Sequence, residues 1–216
     1  IYLDYTGARS VRLRAGTECP PAVVKRARGL FNPEDGWTLR VSGFNVLDAF
    51  LSAARKARHE VRCHDDALAF VAQHRDAEHR DRVLASAYPA GARSAALKKL
   101  LRMRLYPYQA EGALFAVRAG RSIIADEMGL GKTLQAIAAA EILSRHFGAE
   151  RVLVVCPTSL KHQWQREIQR AAGRDAQVIR GLRAVRARQY GEAPAWKIAG
   201  YETLSRDLDL IGRWSP

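Results

Sequence analysis

"ADEMGLGKTLQAI", residues 125–137, decides how this chain is read. It contains Gly131-Lys132-Thr133, the tail of a phosphate-binding loop. The apolar pair Ile123-Ile124 stands just before it and an alanine-rich run just after. A loop between a buried strand and a helix turns several main-chain N–H groups toward one anion, and the helix N-terminus adds roughly half a positive charge. Gly129 and Gly131 remove the Cβ atoms that would hold phosphate oxygens at a distance. Lys132 can then reach the β and γ phosphates, and the Thr133 hydroxyl can hold Mg²⁺. The usual spacing, G-x-x-x-x-G-K-[ST], asks for glycine where Asp126 stands. An acid at that place needs a reason.

The flanking pattern supplies context. "SIIAD" (122–126) reads as a strand and "TLQAIAAAEILS" (133–144) as a largely buried helix. "VLVVC" (152–156) is a continuous apolar run, as expected of a parallel strand covered on both faces. In the next helix Leu160, Trp164 and Ile168 share one face. "AQVIR" and "WKIAGY" read as further strands and "TLSRDLDLIG" as one helix. Strand alternating with helix predicts an α/β sheet over residues 105–216. Residues 1–104 predict a small α+β accessory domain, with strands at "SVRLR" and "WTLRVS". Its helices are expected at 21–31, 45–60 and 65–87, the last two with Asn45 and Asp65 as N-caps. The boundary is expected near residue 104, after the turn and short basic helix of "YPAGARSAALKKLLRMR".

The totals narrow the function classes. Of 216 residues 48% are hydrophobic, ample for a packed core, so wholesale disorder is excluded. Lys and Arg number 35 against 22 acids, a net +13 that favours a polyanionic partner through counterion release. Cys19, Cys63 and Cys156 form no C-x-x-C pair, which argues against a zinc site or disulfide framework and for a reducing cytosol. No apolar run approaches the roughly 20 residues needed to cross a bilayer, so no membrane partner is expected. The expected location is cytoplasmic and, for this arginine-rich chain, bacterial and nucleoid-associated.

"DEMGLGKT" resembles the phosphate loop of the Snf2 (Swi2) branch of superfamily 2 helicase-like ATPases, in which an acidic pair opens the loop. That resemblance accounts for Asp126. Three further stretches carry it along the chain. "LYPYQAEGALFAV" (105–117) resembles the adenine-side element, whose glutamine, here Gln109, reads the base edge. "VLVVCPTSLKHQW" (152–164) resembles a motif whose loop touches the nucleic-acid backbone, and "GYETL" (200–204) a second one. The resemblance implies a truncated RecA-like P-loop lobe that takes ATP and Mg²⁺ and tracks double-stranded DNA. Its implied nucleotide site is Gln109, Asp126, Gly129, Leu130, Gly131, Lys132 and Thr133, with Lys132 and Thr133 catalytic and Thr133 on the Mg²⁺. Its implied nucleic-acid contacts are Thr158, Ser159, Lys161, Tyr201 and Thr203, although each hydroxyl is also a reasonable helix N-cap. "FNPEDGWTLRV" (31–41) bears a likeness to small domains that precede the motor in annealing-helicase relatives.

The resemblance also leaves parts unsupplied. No apolar strand ending in D-E-x-H follows Thr133, and no second lobe with its arginine finger, worth about 10³ to 10⁵ in rate, is present. The chain is therefore expected to bind nucleotide weakly and turn none over, while its parent protein is an ATPase. The arginines at 166, 170, 174, 180, 183, 186 and 188 are either a DNA track or, for most of them, solvated helix faces. A translocase that remodels RNA polymerase or another protein complex, a DNA-binding scaffold with a dead loop, and a small-metabolite kinase stand as alternatives.

Overall fold

The computed structural model describes residues 2–5, 10–14, 38–40, 52, 54–56, 58, 62–63 and 65–216. Packing divides the chain into two units, Ile1–His79 and Arg80–Pro216. In the first, β1 (Tyr2–Tyr5), β2 (Ser10–Arg14), β3 (Thr38–Arg40) and β4 (Arg62–Cys63) form one sheet in the order β3-β2-β1-β4. β1 runs antiparallel to β2 and parallel to β4. The expected strands at "SVRLR" and "WTLRVS" are β2 and β3. The expected helix at 21–31 and the Asn45 cap lie outside the described residues. The third expected helix is α1 (Asp65–Ala87), which starts at Asp65 itself.

The second unit is built on a parallel sheet of three strands, β5 (Val152–Cys156), β6 (Ala176–Val178) and β7 (Trp196–Gly200), in the order β5-β7-β6. Side chains alternate across a strand, so the sheet sorts them onto two faces. Val152, Val154, Cys156, Trp196 and Ile198 join one core; Leu153 and Ala199 join the other. The first core is closed by α3 (Pro107–Ala119), α4 (Lys132–Phe147) and α5 (Lys161–Ala172), through Leu114, Val117, Ile137, Ile142 and Ile168. Leu84, Tyr88, Leu97, Leu100, Leu101 and Leu105 enter this core as well, from the end of α1, from α2 (Ala95–Lys98) and from the segment after it. The second core joins Tyr190 of α6 (Arg183–Gly191) to Ile211 and Trp214 of α8 (Leu208–Trp214). The architecture is α/β, a small parallel sheet flanked by helices, and is compatible with a RecA-like lobe.

Two expectations fail for identifiable reasons. Residues 122–126 form no ladder, and Ile123 is 86% exposed. A strand exists only beside a partner whose N–H and C=O groups it can meet. Among the described residues β5 pairs only with β7, and nothing pairs with 122–126. The single helix expected at 203–212 is divided at Asp207 into α7 (Tyr201–Arg206) and α8. The fully buried Asp207 carboxylate accepts Arg186 Nε at 2.6 Å and Nη2 at 2.7 Å. An unpaired buried carboxylate is far costlier than an interrupted helix, so the charge sets the break.

A second buried charge sits mid-sheet. Lys197 of β7 is fully buried, and its ammonium donates to Gln177 Oε1, to the Gln189 carbonyl at 2.7 Å and to the Glu192 carbonyl. All three N–H bonds are used, yet burial still holds its pKa below the usual lysine range.

The Tyr190 hydroxyl, by contrast, is buried with no hydrogen-bond partner among the described residues. Burial, then the nearby Asp207 carboxylate, pushes its pKa up to about 12. The raised folded-state pKa gives full stability below the ordinary value of 10.0, lost as pH rises toward 12. We expect Tyr190→Phe to raise the unfolding free energy in urea by about 1 kcal/mol at neutral pH. The same change should flatten the alkaline loss.

Candidate functional site

The glycine-rich loop 125–131 lies between α3 and α4, and local chemistry fixes both helix ends. Pro107 occupies the first turn of α3, where its missing N–H loses nothing, and Gln109 folds back so that its Oε1 accepts the Tyr106 N–H at 3.0 Å. α4 starts directly after Gly131, which is left-handed at φ 76°; Gly129 is left-handed too, at φ 86°. Two such residues in three curl the loop back on itself. The Gly131 carbonyl accepts the N–H groups of Leu134 and Gln135, which leaves the earlier first-turn amides of α4 directed outward.

Side chains from both helices pin the loop. Gln109, 5% exposed, donates from Nε2 to the Leu130 carbonyl at 3.1 Å, and the Tyr108 hydroxyl donates to the same oxygen at 3.2 Å. Tyr108 and Tyr106 stack with centroids 5.9 Å apart and both remain exposed. Lys132 Nζ donates to the carbonyls of Asp126 at 2.8 Å and Glu127 at 2.9 Å, so its charge rests on its own loop. The Asp126 carboxylate turns to α4 and accepts Gln135 Nε2. Leu130 and Met128 are exposed, and Thr133 is half-buried.

Gln109, Gly129, Gly131, Lys132 and Thr133 thus come together. They line a cavity of 870 Å³ with Tyr106 and with Gln163 and Glu167 of α5. Asp126 and Leu130 belong to the same loop but are not among the lining residues. Sequence reasoning passed over Gln163 and Glu167. Their spacing put them on a helix, but only the packing of α4 against α5 turns that helix toward the loop.

The expected nucleic-acid residues gather elsewhere, where β5 and β7 end. Thr158 and Ser159 form an exposed 3₁₀ turn after β5, and Tyr201, 61% exposed, opens α7 after β7. Thr158 and Thr203 converge on Gly200. A Cβ there would stand 2.9 Å from Thr158 Oγ1 and 3.9 Å from Thr203 Oγ1. Lys161 is apart from this group: it is 8% exposed and its ammonium donates to the Ile179 carbonyl at 3.2 Å. Burial pushes the neighbouring Cys156 thiol up, with Lys161 opposing. Several arginines of the basic stretch are likewise engaged internally. Arg174 pairs with Glu141, Arg183 with Asp209, Arg186 with Asp207 and Arg188 with Glu192.

The family model for the SNF2-related domain matches residues 58–213, well over half of the chain. The chain belongs to the SNF2-related family. Three relatives illustrate what this SNF2-related chain is similar to. It is 48% identical over 67 residues to the SWI/SNF-related matrix-associated actin-dependent regulator of chromatin subfamily A-like protein 1 homolog of Caenorhabditis elegans, covering 30% of this chain and 9% of that protein. Against the DNA annealing helicase and endonuclease ZRANB3 of Mus musculus it is 45% identical over 71 residues, 32% of this chain and 6% of that protein. Against the Chromatin-remodeling ATPase INO80 of Pyricularia oryzae it is 33% identical over 148 residues, 65% of this chain and 7% of that protein. The SNF2-related chain spans under one tenth of the length of each. These relatives are nematode, mouse and fungal proteins, two of them named for chromatin, which overturns the expectation of a bacterial, cytoplasmic, nucleoid-associated protein.

The two loop glycines differ in what a side chain would meet. A Cβ at Gly131 would stand 2.5 Å from Gln109 Nε2, whereas one at Gly129 would meet nothing within 4 Å among the described residues. We expect Gly129→Ala to cost about 1 kcal/mol of stability, the left-handed strain alone. Gly131→Ala should cost about 2 kcal/mol or more, since it also displaces the Gln109 amide. Urea unfolding of the two variants side by side measures the difference.

Proposed function

We propose that this chain is the nucleotide-binding part of an ATP-dependent DNA translocase of Snf2 type, within a longer protein that hydrolyses ATP when engaged on duplex DNA. One observation carries the reading: a loop curled by two left-handed glycines, opening a buried helix, brings Lys132 and Thr133 into one cavity with Gln109. The fit to a triphosphate is chemical. First-turn amides and the Lys132 ammonium offer donors only, and Gly131 leaves open the space that a Cβ would take from the Gln109 amide.

In this reading Gly129, Leu130, Gly131 and Lys132 surround the phosphates, and Lys132 exchanges its two loop carbonyls for phosphate oxygens. Thr133 would hold Mg²⁺ through its hydroxyl, and the ion would neutralise phosphate charge. Gln109 stands at the adenine side, where pairing with the base requires its amide to leave either Tyr106 or Leu130. Asp126 acts from behind the loop. Thr158, Ser159, Tyr201 and Thr203 contact a DNA backbone at the ends of β5 and β7, and Lys161 orders that surface from the core. Residues 1–104 serve as the accessory domain, with 80–104 bracing the lobe. Alone, the chain binds nucleotide without turning it over.

The names of the relatives, an annealing helicase and a chromatin-remodelling ATPase among them, support a DNA-acting motor over a DNA-binding scaffold with a dead loop or a small-metabolite kinase; a translocase that remodels a protein complex would share the same DNA track. In the full-length protein we expect Lys132→Ala to abolish DNA-stimulated ATP hydrolysis, measured as phosphate release with and without duplex DNA. Undiminished release would refute the assignment. We further expect Thr203→Ala to weaken duplex binding while leaving the slope of log affinity against log salt unchanged, because a neutral hydroxyl contacts a phosphate without releasing a counterion. An unchanged affinity would remove Thr203 from the interface.

A further inference from the structure

Asp126 stands where the general phosphate-loop spacing has glycine, and a carboxylate beside bound phosphate would repel it. The side chain avoids this by turning away. Its Oδ2 accepts Gln135 Nε2 at 2.5 Å, from the first turns of α4. Because a carboxylate can only accept, this contact fixes which end of the Gln135 amide faces it. The other end, Oε1, then points at α3. There it is fully buried without a hydrogen-bond partner among the described residues.

α3 has made room for it. A Cβ at Gly112 would stand 1.9 Å from Gln135 Oε1 and 2.9 Å from its Cδ. Gly112 lies in the middle of a helix, where alanine would be the better former by about 1 kcal/mol. The space taken by the amide is the physical reason for glycine.

Asp126 is therefore held at two points. Its carbonyl is held by Lys132 Nζ, its carboxylate by Gln135. Resting on the assignment of this loop to phosphate, we infer that the Asp126–Gln135 contact, seated over Gly112, is the positioning device that keeps the loop in its curled form when Lys132 leaves the Asp126 and Glu127 carbonyls for the nucleotide. Gln135 and Gly112 are positioning residues. Neither touches the cavity, and both act through Asp126.

Equilibrium binding of ATP–Mg²⁺ to the 216-residue chain, by titration calorimetry, tests this with four proteins. Wild type should bind and Lys132→Ala should not; if the two behave alike, the phosphate assignment itself falls. Gln135→Glu sets two carboxylates against each other and should weaken binding about tenfold or more. Adding Asp126→Asn to that variant restores a donor facing an acceptor and should return the affinity to within about threefold of wild type. If Lys132→Ala loses binding while Gln135→Glu keeps it, or if Asp126→Asn fails to rescue, the positioning role is wrong and the phosphate site stands. Should Gln135→Glu not fold, as judged by circular dichroism, Gly112→Ala gives the same reading. It should weaken ATP binding in the wild type and leave it unchanged in a Gln135→Ala background; equal losses in both would overturn the inference.

Discussion

The Leu130 carbonyl oxygen is the point on which the site depends. It sits between the two left-handed glycines and receives the Gln109 amide and the Tyr108 hydroxyl together. A glycine-rich loop has many conformations to lose, and an exposed one gains little from burial. Anchoring a single main-chain oxygen from α3 and a single carboxylate from α4 selects one of those conformations. On the proposed reading, the amide donors would then be arranged before any anion arrives, lowering the ordering cost of binding one.

The rest of the lobe holds those two helices in register. α3 and α4 share one face of the sheet, and α4 is tied onward by the buried Glu141 carboxylate, which takes Arg174 through Nε at 2.8 Å and Nη2 at 3.3 Å. On the opposite face, Asp207 gathers Arg186 and binds α6 to the junction of α7 and α8. Lys197 joins β7 to β6 and to the end of α6. Each of these buried charges has its partners, which is the condition under which charge can be kept inside a core. Their geometry also disciplines the fold: a shifted strand register would leave an ammonium or a carboxylate without partners.

Internal pairing also bears on the positive charge of the chain. A net +13 suggests a wide cationic surface, but Arg174, Arg183, Arg186 and Arg188 lean on acids of their own unit, and Lys161 is buried under a carbonyl. The hydroxyl cluster around Gly200 is a different kind of surface, neutral and close to main chain. On the proposed reading, such groups would position a phosphate backbone without reading its sequence.

The sequence by itself determined what is local. The glycine–lysine–threonine run and the apolar runs of β5 and β7 each follow from residues within a few positions of one another, and family membership from several such runs standing in order along the chain. Only the tertiary structure decided what is paired across the chain. Whether "SIIAD" forms a strand depends on a neighbour, and helix 203–212 breaks because a distant arginine fixes Asp207. Gly112 is glycine because an amide 23 positions later needs its space. Hydrogen bonds and excluded volume between distant residues leave no period in the sequence, so the long-range half of the site becomes legible only when the helices are packed.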